Sequence, residues 1–307
     1  MPVTSRPYVD HDDLNRIQHA TSQWIAAAGL CGYLHPADIA LRLFNGMRRY
    51  APQQIIRLWE HADGELLGWA MIYPRWDSYE VLVHPQHRAG ELAREILIWA
   101  ENETWRWLRQ EGRANPAITL NVYEDDEARI TLLRQLGYQH AGVHSTIAQR
   151  SLREPIPEAS LAAGFSVRPL RGTQEVEKLV EAQNAAFGWN WQAQDMQRVL
   201  TAPGNSPERE LVVMTPEGRA AAFCYLLLDA HSKLGMFEDV GTHPDFRRRG
   251  LGSAMLYAGM KLMYDAGMGS ALVPYHVSAD AGKGLYDAVG FQPLYGIADY
   301  SKAAPTD

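Results

Sequence analysis

Along 165–170 apolar and polar side chains alternate, as in an edge strand with one buried face. Longer apolar runs at Glu210–Met214, Ala220–Asp229 and Leu234–Thr242 predict three consecutive strands, and a further strand is expected at 270–277. Helices are predicted ahead of the three strands, over 174–186 and 191–201. Two more follow at 250–266 and 281–289, with a last strand near 291–295. Three adjacent strands with helices before and after them make an α+β pattern: a mixed, mostly antiparallel sheet flanked by helices. The regular βαβα alternation of a doubly wound sheet is absent.

The pattern occurs twice. His84-Pro85-Gln86-His87-Arg88-Ala89-Gly90-Glu91-Leu92-Ala93 aligns without a gap on His243-Pro244-Asp245-Phe246-Arg247-Arg248-Arg249-Gly250-Leu251-Gly252, at an offset of 159 residues. Each run follows a short apolar strand, ending at Val83 or Thr242, and each precedes a helical stretch. Further on, Leu136-Gly137-Tyr138-Gln139 matches Val289-Gly290-Phe291-Gln292 at an offset of 153, with a longer helix and loop at 105–115 taking up the difference. Two matches in the same order point to tandem copies of one domain. Pro155 and Pro157, with Glu154 and Glu158, interrupt the periodicity between them. The expected division is 1–152, a linker at 153–163, and 164–307.

Composition then narrows the function. Hydrophobic residues make up 46% and charged residues 21% of 307, a globular balance. A net charge of −7 argues against a basic footprint for nucleic acid. Two distant cysteines, Cys31 and Cys224, exclude a disulfide scaffold or thiolate zinc cluster and fit a reducing, cytoplasmic compartment. No apolar run approaches the roughly 20 residues that span a bilayer, and no secretory signal is expected at the start of the chain. His84 and His87 lack carboxylates to complete a metal site and read, like His243, as turn residues.

The candidate chemistry lies in the second copy. A strand ends at Thr242, a turn follows, and a helix begins at a glycine pair, Gly250 and Gly252, which needs a reason because glycine is a poor helix former. Close approach of a ligand to the backbone is one. The unsatisfied N–H groups and positive dipole end of a first helical turn suit a phosphate, and Arg247, Arg248 and Arg249 add charge for its oxygens. A solvated basic turn, with glycines serving only the chain reversal, is the other reading.

This segment resembles motif A of the GNAT (Gcn5-related) acyl-CoA N-acyltransferases, Gln/Arg-x-x-Gly-x-Gly/Ala after a strand, with Arg247, Gly250 and Gly252 in the three positions. Gly284-Leu285-Tyr286-Asp287-Ala288-Val289-Gly290-Phe291 is similar to the family's motif B. The two-copy layout is similar to that of the mycothiol synthases and of some small-molecule acetyltransferases. The resemblance implies that backbone N–H groups from Arg247 through Arg248, Arg249, Gly250, Leu251, Gly252 and Ser253 bind the pyrophosphate of acetyl-CoA. It implies that Val240, Gly241 and Thr242 hold the pantetheine arm and polarise the thioester. Tyr286 falls in the place of the general acid, or is a core aromatic with a hydrogen-bonded hydroxyl. Glu238, sharing strand parity with Val240 and Thr242 and opposite in facing to Asp239, is the candidate base, or a salt-bridged strand carboxylate. The asparagine common before motif B falls at Ala279, leaving Ser278, Asp280 or Lys283 to compensate.

In the first copy Glu238 corresponds to Tyr79, Gly250 to Glu91, Gly252 to Ala93 and Tyr286 to Leu133. A register with Gly90 slipped into the place of Gly250 is the alternative. That copy reads as degenerate, its seven tryptophans filling a core, or with Trp69 and Trp76 lining a surface. The implied function is transfer of an acetyl group from acetyl-CoA to an amine of a small molecule, in a ternary complex. A non-catalytic acyl-CoA sensor or scaffold is the alternative. A tRNA-dependent aminoacyl transferase is disfavoured by the acidic pI. No nucleic acid, membrane or metal is expected as a partner, and oligomeric state is not inferable.

Overall fold

The computed structural model describes residues 2–114 and 116–304, so the loop expected at 105–115 ends on a residue, Asn115, outside the described set. The chain forms two compact units, Met1–Ser145 with Tyr295–Asp307, and Thr146–Leu294. This differs from the contiguous division at 152 and 164. Ala148 and Leu152 are buried in the core of the second unit, whereas Ile297–Ala303 pair antiparallel with Ala117–Tyr123 in the first. Between Ser151 and Ser166 the chain forms neither helix nor strand.

In the first unit the order is β1 (Val3–Pro7), α1 (His11–Ala28), α2 (Pro36–Leu41), α3 (Pro52–Ile55), β2 (Ile56–His61), β3 (Leu66–Tyr73), β4 (Ser78–Val83), α4 (Glu91–Gln110), β5 (Ala117–Tyr123) and α5 (Glu127–Gln135). β1 to β4 form an antiparallel sheet in sequence order. Every residue of β3 is buried, because α4 covers it through Ile96, Leu97 and Ala100. Gly68 lets α4 come close, since a Cβ there would stand 2.6 Å from Ile96 Cδ1. Trp69 is fully buried with its indole N–H on Thr21 Oγ1 at 3.1 Å, so it does not line a surface; Trp76 is 45% exposed.

One ion network anchors α1. Asp13, 4% exposed, receives both Arg6 Nη atoms at 2.6 Å and the Val9 N–H at 2.9 Å. The Arg6 guanidinium holds this carboxyl below its usual range against the opposing effect of burial. Its stabilisation is therefore complete above the unfolded carboxylate value and is lost as pH falls through the lowered one. Asp13→Asn should cost about 2 kcal/mol near neutrality, read as a lower urea midpoint, and the cost should shrink in acid. An unchanged midpoint would remove the network from the account of stability.

β6 (Gln139–Ser151) and β12 (Gln292–Ala303) each belong partly to both units. The second unit is built from β7 (Ser166–Pro169), α6 (Val176–Phe187), α7 (Ala193–Leu200), β8 (Glu210–Met214), β9 (Ala220–Asp229), β10 (Leu234–Thr242), α8 (Leu251–Asp265), β11 (Ser270–His276) and α9 (Asp280–Ala288). β7 to β10 are antiparallel neighbours, and β11 joins β10 in parallel. The α+β organisation agrees with the hydrophobic pattern. β12 is longer than the strand expected at 291–295 because its later residues find partners in β5. One sheet face packs Leu211, Cys224, Leu226 and Phe237 on Met255 and Met260 of α8. Gly259 makes this possible, since a Cβ there would lie 2.4 Å from the Phe237 ring. On the other face Phe223 meets Phe187 of α6. Among the described residues no helix is long and apolar enough to cross a membrane.

Candidate active site

β10 and β11 pair only at Leu234–Met236 with Ser270–Leu272. β10 then runs six residues further, to Thr242, and β11 four, to His276, without pairing each other. Backbone groups along the far half of β10 therefore face an opening that an extended ligand can fill as a strand would.

Within that half the strand carries a bulge. Glu238 stands opposite Tyr225 and Gly241 opposite Phe223, three steps on β10 against two on β9. The extra residue is absorbed by Asp239 in the left-handed region, φ 50°. This corrects the expected parity: the bulge breaks the alternation, and Glu238 shares a face with Gly241 rather than with Val240 and Thr242. Gly241 is required here, because a Cβ would stand 2.3 Å from the Phe223 ring.

The turn after β10 alternates its handedness. Arg247 is extended at φ −62°, whereas Arg248 (φ 59°) and Gly250 (φ 74°) are left-handed, and the chain then enters a helix start whose free N–H groups can cradle an anion. Gly250 is the N-cap of α8 with no side-chain cap, and space beside it is open within 4 Å. The first helical bond runs from Ala254 N–H to Gly250 C=O, so Leu251, Gly252 and Ser253 keep their N–H groups for something else. Gly252 serves packing: a Cβ would lie 3.0 Å from Leu285 of α9. Arg247 braces the turn through the carbonyls of Thr242 and Ala186, each at 3.4 Å, and Arg249 bonds the Asp245 carbonyl at 3.4 Å. None of the three arginines has a carboxylate partner among the described residues, so the turn keeps its full positive charge.

Tyr286 projects from α9 into the core beside Tyr275 and Phe291, 7% exposed. Its ring packs as a core aromatic does, yet no hydrogen bond to a described residue holds its hydroxyl. Burial, with Cys224 and Glu238 nearby, pushes the phenol well above its ordinary value and keeps it protonated. Lys283 is taken up by Asp287 at 2.5 Å, and Ala279 caps α9 without a side-chain bond.

The first unit keeps an uncapped glycine at its helix start and leaves β4 and β5 unpaired, but differs in the turn and in the strand before it. Its turn is one residue shorter, so Gly90 and not Glu91 is the N-cap of α4, and the slipped register replaces the gapless one. Gly90 is extended at φ −101°, its N–H spent on His87 C=O at 3.1 Å, and Glu91 supplies the helix dipole with an internal anion. Arg88 is paired with Asp126 at 2.7 Å and lies over the Tyr33 ring. β4 runs against β3 without a bulge. Its carbonyls are occupied by the chain itself: Arg129 donates to Val81 at 2.8 Å and the Tyr33 hydroxyl to Val83 at 2.9 Å. His84 and His243 both accept a backbone N–H two residues on, which confirms them as turn residues.

Three features escaped the sequence reading. Glu210 opens an apolar strand, where a charge reads as solvated, but it is 2% exposed. Phe187 and Trp189 stand exposed with centroids 4.5 Å apart, hidden in a count that drew attention to the tryptophans of the other half. The left-handed Asp239 left no signal, since nothing in Glu-Asp-Val-Gly announces a bulge.

Comparison with known proteins agrees with this geometry. The model of the acetyltransferase (GNAT) family matches residues 20–138 and 176–291. Mycothiol acetyltransferase of Segniliparus rotundus is 25% identical over 260 residues, 80% of this chain and 92% of that one. Mycothiol acetyltransferase of Kineococcus radiotolerans is 27% identical over 82% of this chain and 80% of its own. A tandem GNAT protein from the clavulanic acid biosynthesis pathway has the same fold over the full length of both chains, with a TM-score of 0.67 at 16% identity.

Proposed function

Since the chain belongs to the acetyltransferase (GNAT) family and is an acetyl-CoA-dependent acetyltransferase, we propose that the second unit alone binds acetyl-CoA and passes its acetyl group directly to the amine of a small molecule. The observation that carries this reading is the helix start after β10, where Gly250 is left-handed and is flanked by arginines with no carboxylate partner among the described residues, whereas the first unit has an extended Gly90, Glu91 in the first turn and Arg88 paired with Asp126. Backbone groups of Val240, Gly241 and Thr242 hold the pantetheine arm and polarise the thioester carbonyl. The N–H groups from Arg248 to Ser253 take the pyrophosphate, and Arg248, with no side-chain hydrogen bond or ion pair among the described residues, is available to phosphate oxygens.

Glu238 receives the proton of the incoming ammonium, directly or through water, and the neutral nitrogen bonds to the acyl carbon. As the carbon–sulfur bond breaks, Tyr286 supplies a proton to the departing thiolate, the nitrogen gives up its second proton through solvent to the tyrosinate, and Glu238 releases the first proton to solvent, so that one proton is set free per acetyl group transferred. No acyl-enzyme is required. The two free cysteines fit a cytoplasmic setting, with Cys224 buried and its thiol pushed far up by burial, away from nucleophilic use.

Titration calorimetry should find one acetyl-CoA bound per chain. Two equivalent sites would overturn the assignment to the second unit, and no binding would overturn the reading as a whole.

A further inference from the structure

An aromatic wall leads outward from the reacting strand. Phe223 lies against Gly241, Phe187 meets Phe223 edge-on at 5.5 Å, and Trp189 stacks on Phe187 at 4.5 Å. Phe187 and Trp189 are each 39% exposed, so the wall ends in open apolar surface. Its inner end is acidic. Two residues along β9 from Phe223, on the same face, is Tyr225, flanked in register by Glu238 on β10 and Glu210 on β8. The Oε1 atom of Glu210 is buried without a hydrogen-bond partner, and no cation pairs with that carboxyl among the described residues. Arg209 bonds the Gly204 carbonyl and stands beside the Tyr225 hydroxyl without pairing with Glu210, while Arg247 is spent on Thr242 and Ala186.

Resting on the acetyl-transfer reading, we propose that the acceptor is a primary amine carried on a flat aromatic body, its ammonium at the Glu238 end and its ring against Phe187 and Trp189. The acidic end attracts the ammonium and prepares it for proton loss beside Glu238. Burial and the neighbouring Asp239 favour the neutral form of the Glu210 carboxyl, and an ammonium beside it would favour its ionised form. At the outer end a ring gains offset and edge contacts with two aromatic neighbours. A hydroxyl-rich amine such as an amino sugar offers these rings no aromatic face for offset or edge contact.

Kinetics of thiol release from acetyl-CoA with 2-phenylethylamine, tryptamine, ethylamine and glucosamine test this. The aryl amines should exceed both others about 100-fold in kcat/KM. Trp189→Ala should lower kcat/KM for 2-phenylethylamine about tenfold, chiefly through KM, and leave ethylamine within about twofold. Phe187→Leu, which keeps an apolar contact on Phe223 but removes the ring, should act in the same direction. Preference for glucosamine, or equal losses for all amines, would overturn the proposal. Calorimetry on the same preparations separates the two levels. Acetyl-CoA bound without turnover of the aryl amines refutes the acceptor class alone, whereas no acetyl-CoA binding refutes the reading beneath it as well.

Discussion

Arg247→Glu combined with Gly250→Glu should weaken acetyl-CoA binding by more than about 100-fold, to the point where titration detects no heat. Gly250 occupies a left-handed conformation that a side chain adopts only with strain of about 1 kcal/mol. Open space beside it means that the added Cβ meets nothing, so conformation and charge make up the whole effect. A glutamate at this N-cap would fold back onto the free N–H groups of α8 and fill the anion cradle with its own carboxylate. Arg247 additionally ties the turn to the carbonyls of Thr242 and Ala186, so its reversal in charge loosens the loop and repels pyrophosphate. Gly250→Ala alone carries only the strain, which the turn relieves by relaxing in the free protein, and should cost about fivefold in affinity. Equal affinity for the double variant and the unaltered protein would mean that acetyl-CoA is held elsewhere. The folded state survives either change, since Gly250 packs against nothing, and an unaltered circular dichroism spectrum would verify it.

The first copy shows how far the same segment can drift while keeping its outline. With one residue fewer between the His-Pro pair and the helix, the N-cap glycine is extended where Gly250 is left-handed. Glu91 then complements the helix dipole from within, and Arg88 turns inward to Asp126. The sequence reading took the first copy as degenerate from Glu91 and Leu133. The means were invisible: occupation of the β4 carbonyls by Arg129 and Tyr33 depends on side chains distant in sequence, and neither carries a local signature.

The second copy was more legible because its elements are local. Strands β8, β9 and β10 appear with the bounds their apolar runs suggest, and α8 begins where the glycine pair stands. What could not be read was facing. Alternation is a property of regular strands, and one left-handed residue, Asp239, resets it for everything downstream. Likewise Glu210 looked like the polar start of a strand. Its burial follows from the pairing with Tyr225, and strand pairing is tertiary information. The extent of β12 was missed for the same reason, since its partner β5 lies in the first half of the chain.

Tyr286→Phe should lower kcat about 100-fold while leaving the affinity for acetyl-CoA within about twofold. The substitution keeps the ring that packs on Tyr275 and Phe291 and removes only a hydroxyl with no hydrogen bond to any described residue. Stability should therefore hold, and a lost rate cannot be attributed to a loosened core. Burial and the proximity of Cys224 and Glu238 raise the phenol far enough that it stays protonated throughout the working range. Its sign is that of a proton donor at every accessible pH. A thiol near 8.5 is a weaker base than phenolate near 10, so transfer is uphill in water, and raising the phenol steepens it. In the proposed role, proton donation accompanies the breaking of the carbon–sulfur bond, when charge on sulfur is greatest. The pH profile separates this role from a structural one. In the unaltered enzyme the rise of kcat/KM with pH reflects the base and the amine, and Tyr286 adds no basic limb below about pH 10. Tyr286→Phe should lower the plateau without moving the rise. A shifted rise with an unchanged plateau would assign the tyrosine to the field around Glu238 instead of to the leaving group.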